Sequence, residues 1–459
     1  MKSLFFVLII VCLCISTLSA QTVLYEKDVK DSVMRHFPSV LSATEAIEQR
    51  RFEQQSAAGQ FDTKIKYENA SRTEGYYTGQ YGKASIEKPL YFANAKVYGH
   101  YRQSSGTFPT YEDQFNTRSR GETGLGISLS VLRDSWIDAK RTTLTNAELD
   151  LVNQYQQQRF VVQSVLQKAS KEYWTWIYAY QLKMEYVGLY ELANKRQEII
   201  KARVKKGDLP DIYLIENLQY LLQRQNQLME ADRDLEIQKR MLALYVRDPE
   251  GLVTSCNHYT IPDTQDYALR YPIQPTQDIV QLLDIHPFLF DLDTQIKQLQ
   301  NEIALYENQN LPAVDLSYEY SSDSGNGSGS LQDEGKVKLS ISTPIERREK
   351  GAKRDALDSK KRQLSLKTSL IIDQLKQDLA IVHERILTAE KTVKNSNLEI
   401  EVAQKMVVAE QKKFLHGDSD MFILNIREQN LTKAKIDNLK YTLELKKAHI
   451  EYDALMMRL

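Results

Sequence analysis

Arg203-Val204-Lys205-Lys206-Gly207-Asp208 returns as Lys413-Phe414-Leu415-His416-Gly417-Asp418, a basic residue, three others and then Gly-Asp, at an offset of 210 residues. Self-similarity at that distance marks an internal duplication. Around the first copy, no proline occurs from Trp136 to Lys205. Around the second, none occurs from Arg347 to Leu415. Each run of about 70 residues would measure on the order of 105 Å as α-helix, far beyond an ordinary globular helix. In the second run Leu357, Leu364, Ile371, Leu375, Leu379, Val382, Ile386, Val393, Ile400 and Val407 recur in steps of seven, four and three. That narrow seam predicts a helix packed side by side with others while much of its surface stays wet. The two glycines supply the turns. Shorter returning helices follow over 212–246 and 422–459, and 28–58 and 276–310 supply the missing length.

Further out, each helical run is preceded by alternating segments. Phe61, Thr63, Ile65 and Tyr67 alternate with Asp62, Lys64, Lys66 and Glu68, and Thr123, Leu125, Ile127, Leu129 and Val131 alternate with small or polar residues. The second half repeats this with Val314, Leu316, Tyr318, Tyr320 and with Val337, Leu339, Ile341. The reading is four strands, near 61–72, 121–131, 313–320 and 336–343, each with one apolar and one wet face. Four strands cannot close a membrane barrel, whereas three chains would give about twelve. The segment 77–118, with another alternating stretch at 96–102, reads as an extracellular excursion that can carry a hairpin of its own. Residues 247–271, with Pro249, Gly251 and Pro262, read as an equatorial segment.

Residues 1–20 have the form of a secretory signal peptide: Lys2, an apolar run from Leu4 to Ile15, and a cleavage point before Gln21. Cys12 and Cys14 lie in that run without a lipobox, so no lipid anchor is expected. Cys256 is then the one remaining cysteine, which leaves no intrachain disulfide. The net charge of −1 and mean hydropathy of −0.48 give no reason to expect a nucleic-acid partner or a transmembrane helix. No nucleophile motif, phosphate loop or carboxylate pair points to an enzyme. Cys256-Asn257-His258 has no second ligand pair, so neither a metal nor another cofactor is expected. Tyr173, Trp174 and Trp176 are expected to pack rather than to touch substrate, and 323–327 to be a loop rather than a calcium site.

With the duplication, strand pairs, long helices and Gly turns in hand, the chain resembles the TolC family of outer-membrane efflux factors over essentially all of residues 21–459. His286-Pro287, Leu311-Pro312, Ser342-Thr343-Pro344-Ile345 and the two Lys/Arg-x₃-Gly turns carry the resemblance. It implies an α+β membrane protein built from two repeats, 21–271 and 272–459. Three copies would share a β-barrel in the outer membrane of a Gram-negative bacterium, with an α-helical tunnel in the periplasm. It implies docking through Lys206, Gly207, Asp208, His416, Gly417 and Asp418 onto a periplasmic adaptor, which links the channel to an inner-membrane pump. The function implied is passive conduction in efflux or type I secretion. The family's aspartates six and nine residues beyond the second glycine are replaced by Ile423 and Ile426. Entrance charge would therefore fall to Glu216 and Asp420, beside Asp208 and Asp418. A periplasmic adaptor, or a soluble coiled-coil protein without a pore, is the competing class.

Overall fold

The computed structural model describes residues 22–109, 115–262, 275–326, 333–416 and 418–459. The expected signal peptide, the end of the equatorial segment and Gly417 lie outside the described residues. The chain divides into two compact units. One holds the chain up to Thr44, Gln158–His286 and Ile372–Leu459; the other holds Glu45–Gln157 and Pro287–Ile371. In order the elements are β1 (Thr22–Val23), α1 (Glu26–His36), α2 (Pro38–Ala58), β2 (Lys64–Arg72), β3 (Gly79–Pro89), β4 (Lys96–Gly106), β5 (Glu122–Ser130), α3 (Ala139–Lys205) and α4 (Ile212–Ala243). There follow β6 (Tyr259–Thr260), α5 (Pro275–Ile285), α6 (Pro287–Gln309), β7 (Ala313–Asp323), β8 (Asp333–Ser342), α7 (Arg348–His416) and α8 (Met421–Leu455).

Helices α3 and α7 have 67 and 69 residues, about 100 Å each. Asp138 fixes the start of α3: its carboxylate accepts the backbone N–H of Lys140 and Arg141 (2.8 and 3.0 Å) and pairs with the Arg141 guanidinium. Gly351-Ala352-Lys353-Arg354 repeats Asp138-Ala139-Lys140-Arg141 213 residues on, and lies in the opening turns of α7, which starts at Arg348. Along the α7 seam Leu375, Leu379, Val382, Ile386 and Val407 are buried, and no seam residue is exposed.

In the first unit the core gathers α1, α3, α4 and the strand pair β1–β6. Tyr173 and Trp176 are its largest fully buried side chains, joined by Val29, Val33, Leu235, Leu242 and Cys256. The Tyr173 hydroxyl donates to the Leu24 carbonyl (3.0 Å), and β1 pairs in parallel with β6. Trp174 donates to Glu26 (3.0 Å) beneath the Lys446 ammonium, which sits 4.5 Å from its ring centre. The Cys256 thiol is pushed up to about 11 by burial, which makes it an inert packing residue.

His449 is buried in the same unit, and its Nε2 has no partner among the described residues. Burial, with the nearby Lys446 cation adding to it, lowers its pKa to about 4. A histidine kept neutral in the fold and free to charge near 6.5 when unfolded contributes stability that is complete above pH 6.5 and lost as the pH falls towards 4. The loss should be about 1–3 kcal/mol. His286 and His383 are lowered in the same direction by burial, so their contributions too weaken as the pH falls below 6.5. Unfolding midpoints measured from pH 7.5 to 4 should fall less steeply for His449→Gln than for the wild type. Parallel curves would remove His449 from the account.

The second unit is built around one antiparallel sheet in the order β2-β3-β4-β5-β7-β8. It has six strands where the alternation predicts four. The extra pair is the β3–β4 hairpin, from the segment expected to be an excursion. Ladders of nine to eleven residue pairs join it to β2 and join its own strands, and seven pairs join it to β5. Its pattern was weak because Gly82, Ala84 and Gly99 dilute the apolar face.

Among the described residues no helix is long and apolar enough to cross a membrane. That statement does not bear on strands.

Candidate functional site

The two Gly-Asp turns share a backbone device. The Asp208 N–H donates to the Arg203 carbonyl and the Asp418 N–H to the Lys413 carbonyl, both at 2.9 Å. In the first turn the Gly207 N–H also donates to the Val204 carbonyl (2.9 Å), and Gly207 has φ +80°. The pair of bonds closes the helix end as a Schellman motif, which explains why a glycine stands one residue before the Asp. Nothing lies within 4 Å of a Cβ added at Gly207, so the demand there is purely conformational. Gly207→Ala should cost about 1–2 kcal/mol locally, and Gly207→Asn less. Hydrogen exchange at residues 203–208 is the measurement; equal protection in all three proteins would refute it.

Lys206, Asp208, His416 and Asp418 are exposed at these turns, and Glu216 is half-buried one turn into α4. His416 Nδ1 lies 2.7 Å from the Lys412 carbonyl. Asp420 caps α8, accepting the Ile423 N–H at 2.9 Å. A capping carboxylate sits where the helix dipole favours it, and its charge still faces water. No hydrogen bond or ion pair described here joins one turn to the other.

What joins the two halves lies deeper. Arg196 on α3 pairs with Glu428 on α8 and donates to Asn425 Oδ1 (2.7 Å). Arg224 on α4 stands 3.6 Å from the other Glu428 oxygen, 3.5 Å from Asn425 Oδ1, and donates to the Leu189 carbonyl (3.3 Å). Asn217 on α4 donates to Gln197 (2.6 Å). Side-chain exposures of 4% for Arg224, 3% for Glu428 and 11% for Arg196 make this a buried ionic cluster. Burial pulls the Arg224 guanidinium down, and Glu428 pulls the other way. The cluster was missed in the sequence, yet it left a signal. Asn217, Arg224, Ala231, Leu235 and Leu242 are buried at steps of seven, seven, four and seven, so two polar residues occupy seam positions.

The sheet has two unlike faces. One carries Ile65, Tyr67, Ile86, Val97, Leu125, Ile127, Tyr318, Tyr320, Val337 and Leu339, with Ile65 80% and Val337 69% exposed. On the other, Lys66 pairs with Glu68, Arg102 with Glu122, and Lys96 with Glu87 (3.2 Å). An apolar face that large and bare needs an apolar neighbour. The Asp323 carboxylate accepts the Arg118 N–H at 3.0 Å, which ties the 323–326 loop to 118–121. Among the described residues no group of three His, Cys, Asp or Glu could hold a metal.

No family model matches the sequence, and no curated protein matches it. Solved structures do match its shape. The outer membrane channel MtrE of Neisseria gonorrhoeae, in its open state, aligns with a TM-score of 0.66 at 14% identity over 94% of this chain and 88% of that one. The CmeC outer membrane channel of Campylobacter jejuni aligns at 0.65 with 13% identity over 94% and 85%. The outer-membrane channel OprN aligns at 0.68 with 11% identity over 95% and 90%. These neighbours are outer-membrane channels. The chain shares the fold of these solved outer-membrane channels.

Proposed function

We propose that three copies of this chain form an outer-membrane channel that passively conducts substrates delivered from a periplasmic adaptor and an inner-membrane pump. The observation that carries the reading is the two-faced sheet. Its apolar face suits outer-membrane lipid, and its charged face suits a water-filled lumen. The likeness to solved outer-membrane channels supports it. A signal peptide at 1–20 and two repeats, 21–271 and 272–459, complete the reading. Lys206 to Asp208 and His416 to Asp418 are the adaptor-docking turns, and Glu216 and Asp420 lie at the periplasmic entrance. Efflux and type I secretion use the same conduit, because the pump selects the cargo.

Fractionation followed by planar-bilayer recording of the purified protein tests this. Detergent-dependent recovery from the outer membrane and stepwise conductance are expected. Recovery as a soluble protein without conductance would instead favour an adaptor or a pore-free coiled coil. Glu216→Gln and Asp420→Asn should together lower cation selectivity about two-fold or more if these carboxylates line the entrance. Asn retains the helix-capping acceptor at 420, so that variant removes charge and not structure. Unchanged selectivity would remove both residues from the entrance.

A further inference from the structure

The β3–β4 hairpin lies between β2 and β5, in the middle of the sheet. Strands β2, β3, β4, β5, β7 and β8 have 9, 11, 11, 9, 11 and 10 residues. A tilted strand needs about 9–11 residues to cross a bilayer, so all six have the length. The hairpin also keeps the face rule of its neighbours. In register, Ile86 lies opposite Ile65 and Gly99, and Val97 opposite Ile127, all on the apolar face. On the charged face Ser85 lies opposite Lys66 and His100, and Arg102 opposite Glu122. A hairpin lying in water outside the wall would have no reason to hold an apolar face in phase with spanning strands.

Glycines seat it. A Cβ at Gly124 would run into the His100 ring and one at Gly126 into the Tyr98 ring, on the charged face. On the apolar face the Leu125 side chain comes within 3.0 Å of a Cβ at Gly99. Large side chains on one strand thus fill the bare positions of the other from both sides. Without the hairpin, β2 and β5 would stand about 14 Å apart, three strand spacings.

Resting on the channel reading above, we propose that residues 79–106 are part of the membrane wall, so that three copies close an eighteen-stranded barrel. The free edges are β2 and β8, both long and exposed, and the neighbouring copy is what covers them. Because each copy contributes an even number of antiparallel strands, β8 of one copy meets β2 of the next in the antiparallel sense. Barrel diameter grows about linearly with strand number, so this wall is about 1.5 times as wide as one with four strands per copy.

Single cysteines in a Cys256→Ser background, labelled with an environment-sensitive dye and reconstituted into vesicles containing brominated lipid, test it. Ile86→Cys and Val97→Cys should be quenched as strongly as the reference sites Leu125→Cys and Val337→Cys. Ser85→Cys should escape quenching and react with a membrane-impermeant thiol reagent. Quenching at the reference sites but not at 86 and 97 would overturn the eighteen-stranded wall and leave the channel standing. No quenching at any site, with no conductance, would overturn the channel reading itself. Cryo-electron microscopy in lipid nanodiscs gives a second readout: eighteen strands support the proposal, and twelve overturn it.

Discussion

Glu428→Ala should destabilise the helical unit by about 3–5 kcal/mol, the usual penalty for stripping the counter-ion from a buried charge. Here the penalty falls on two guanidinium groups at once. Arg196 and Arg224 both face Glu428, and Asn425 Oδ1 is the other acceptor they share. Neither arginine can shed its proton to escape, since guanidinium stays charged in proteins. Glu428→Gln keeps the shape and one acceptor oxygen, and should still lose most of that stability because the charge balance is gone. Replacing all three ions together, as Arg196→Met, Arg224→Leu and Glu428→Leu, should be near neutral, since desolvation of the ions disappears with them. Denaturant unfolding of the purified protein measures all three. A Glu428→Ala cost below about 1 kcal/mol would mean that the arginines find water or another acceptor.

Trp176→Ala should cost about 3–5 kcal/mol, because the indole is wholly buried among Tyr173, the α1 valines and the α4 leucines. Trp176→Phe is the informative partner. The Trp176 Nε1 donor is buried with no acceptor among the described residues, a burden that phenylalanine lifts while keeping an aromatic ring in place. Phe should therefore cost about 1.5 kcal/mol or less. If Phe proved as damaging as Ala, the indole N–H would have to be satisfied in the assembled protein.

Much of this architecture is legible in the chain because it rests on long-range monotony. Seventy residues without proline and a seam of apolar residues at heptad steps speak for long packed helices, whatever the surroundings. Strict alternation in β2, β5, β7 and β8 works for the same reason. The β3–β4 hairpin was illegible as wall because its pattern depends on pairs: Gly124 means little until His100 lies over it. The ionic cluster has the same character. Arg196, Arg224 and Glu428 read as ordinary surface charges on amphipathic helices, and only the packing of α3 and α4 against α8 turns them inward. Residues at the turns were found by repetition, which locates a device without saying what it touches.

The ionic cluster also bears on the history of the duplication. Shifted by the 210-residue offset, Arg196 and Arg224 fall on Met406 and Ala434, while Asn425 and Glu428 fall on Ile215 and Leu218. Each of these four thus has an apolar counterpart, and Ile215, Leu218 and Met406 are exposed on the single chain. In the proposed three-copy ring the seam within a chain would be ionic, and the equivalent seam between chains would be greasy. Six nearly alike joints would then become two alternating kinds, one held by buried charge and one by apolar contact.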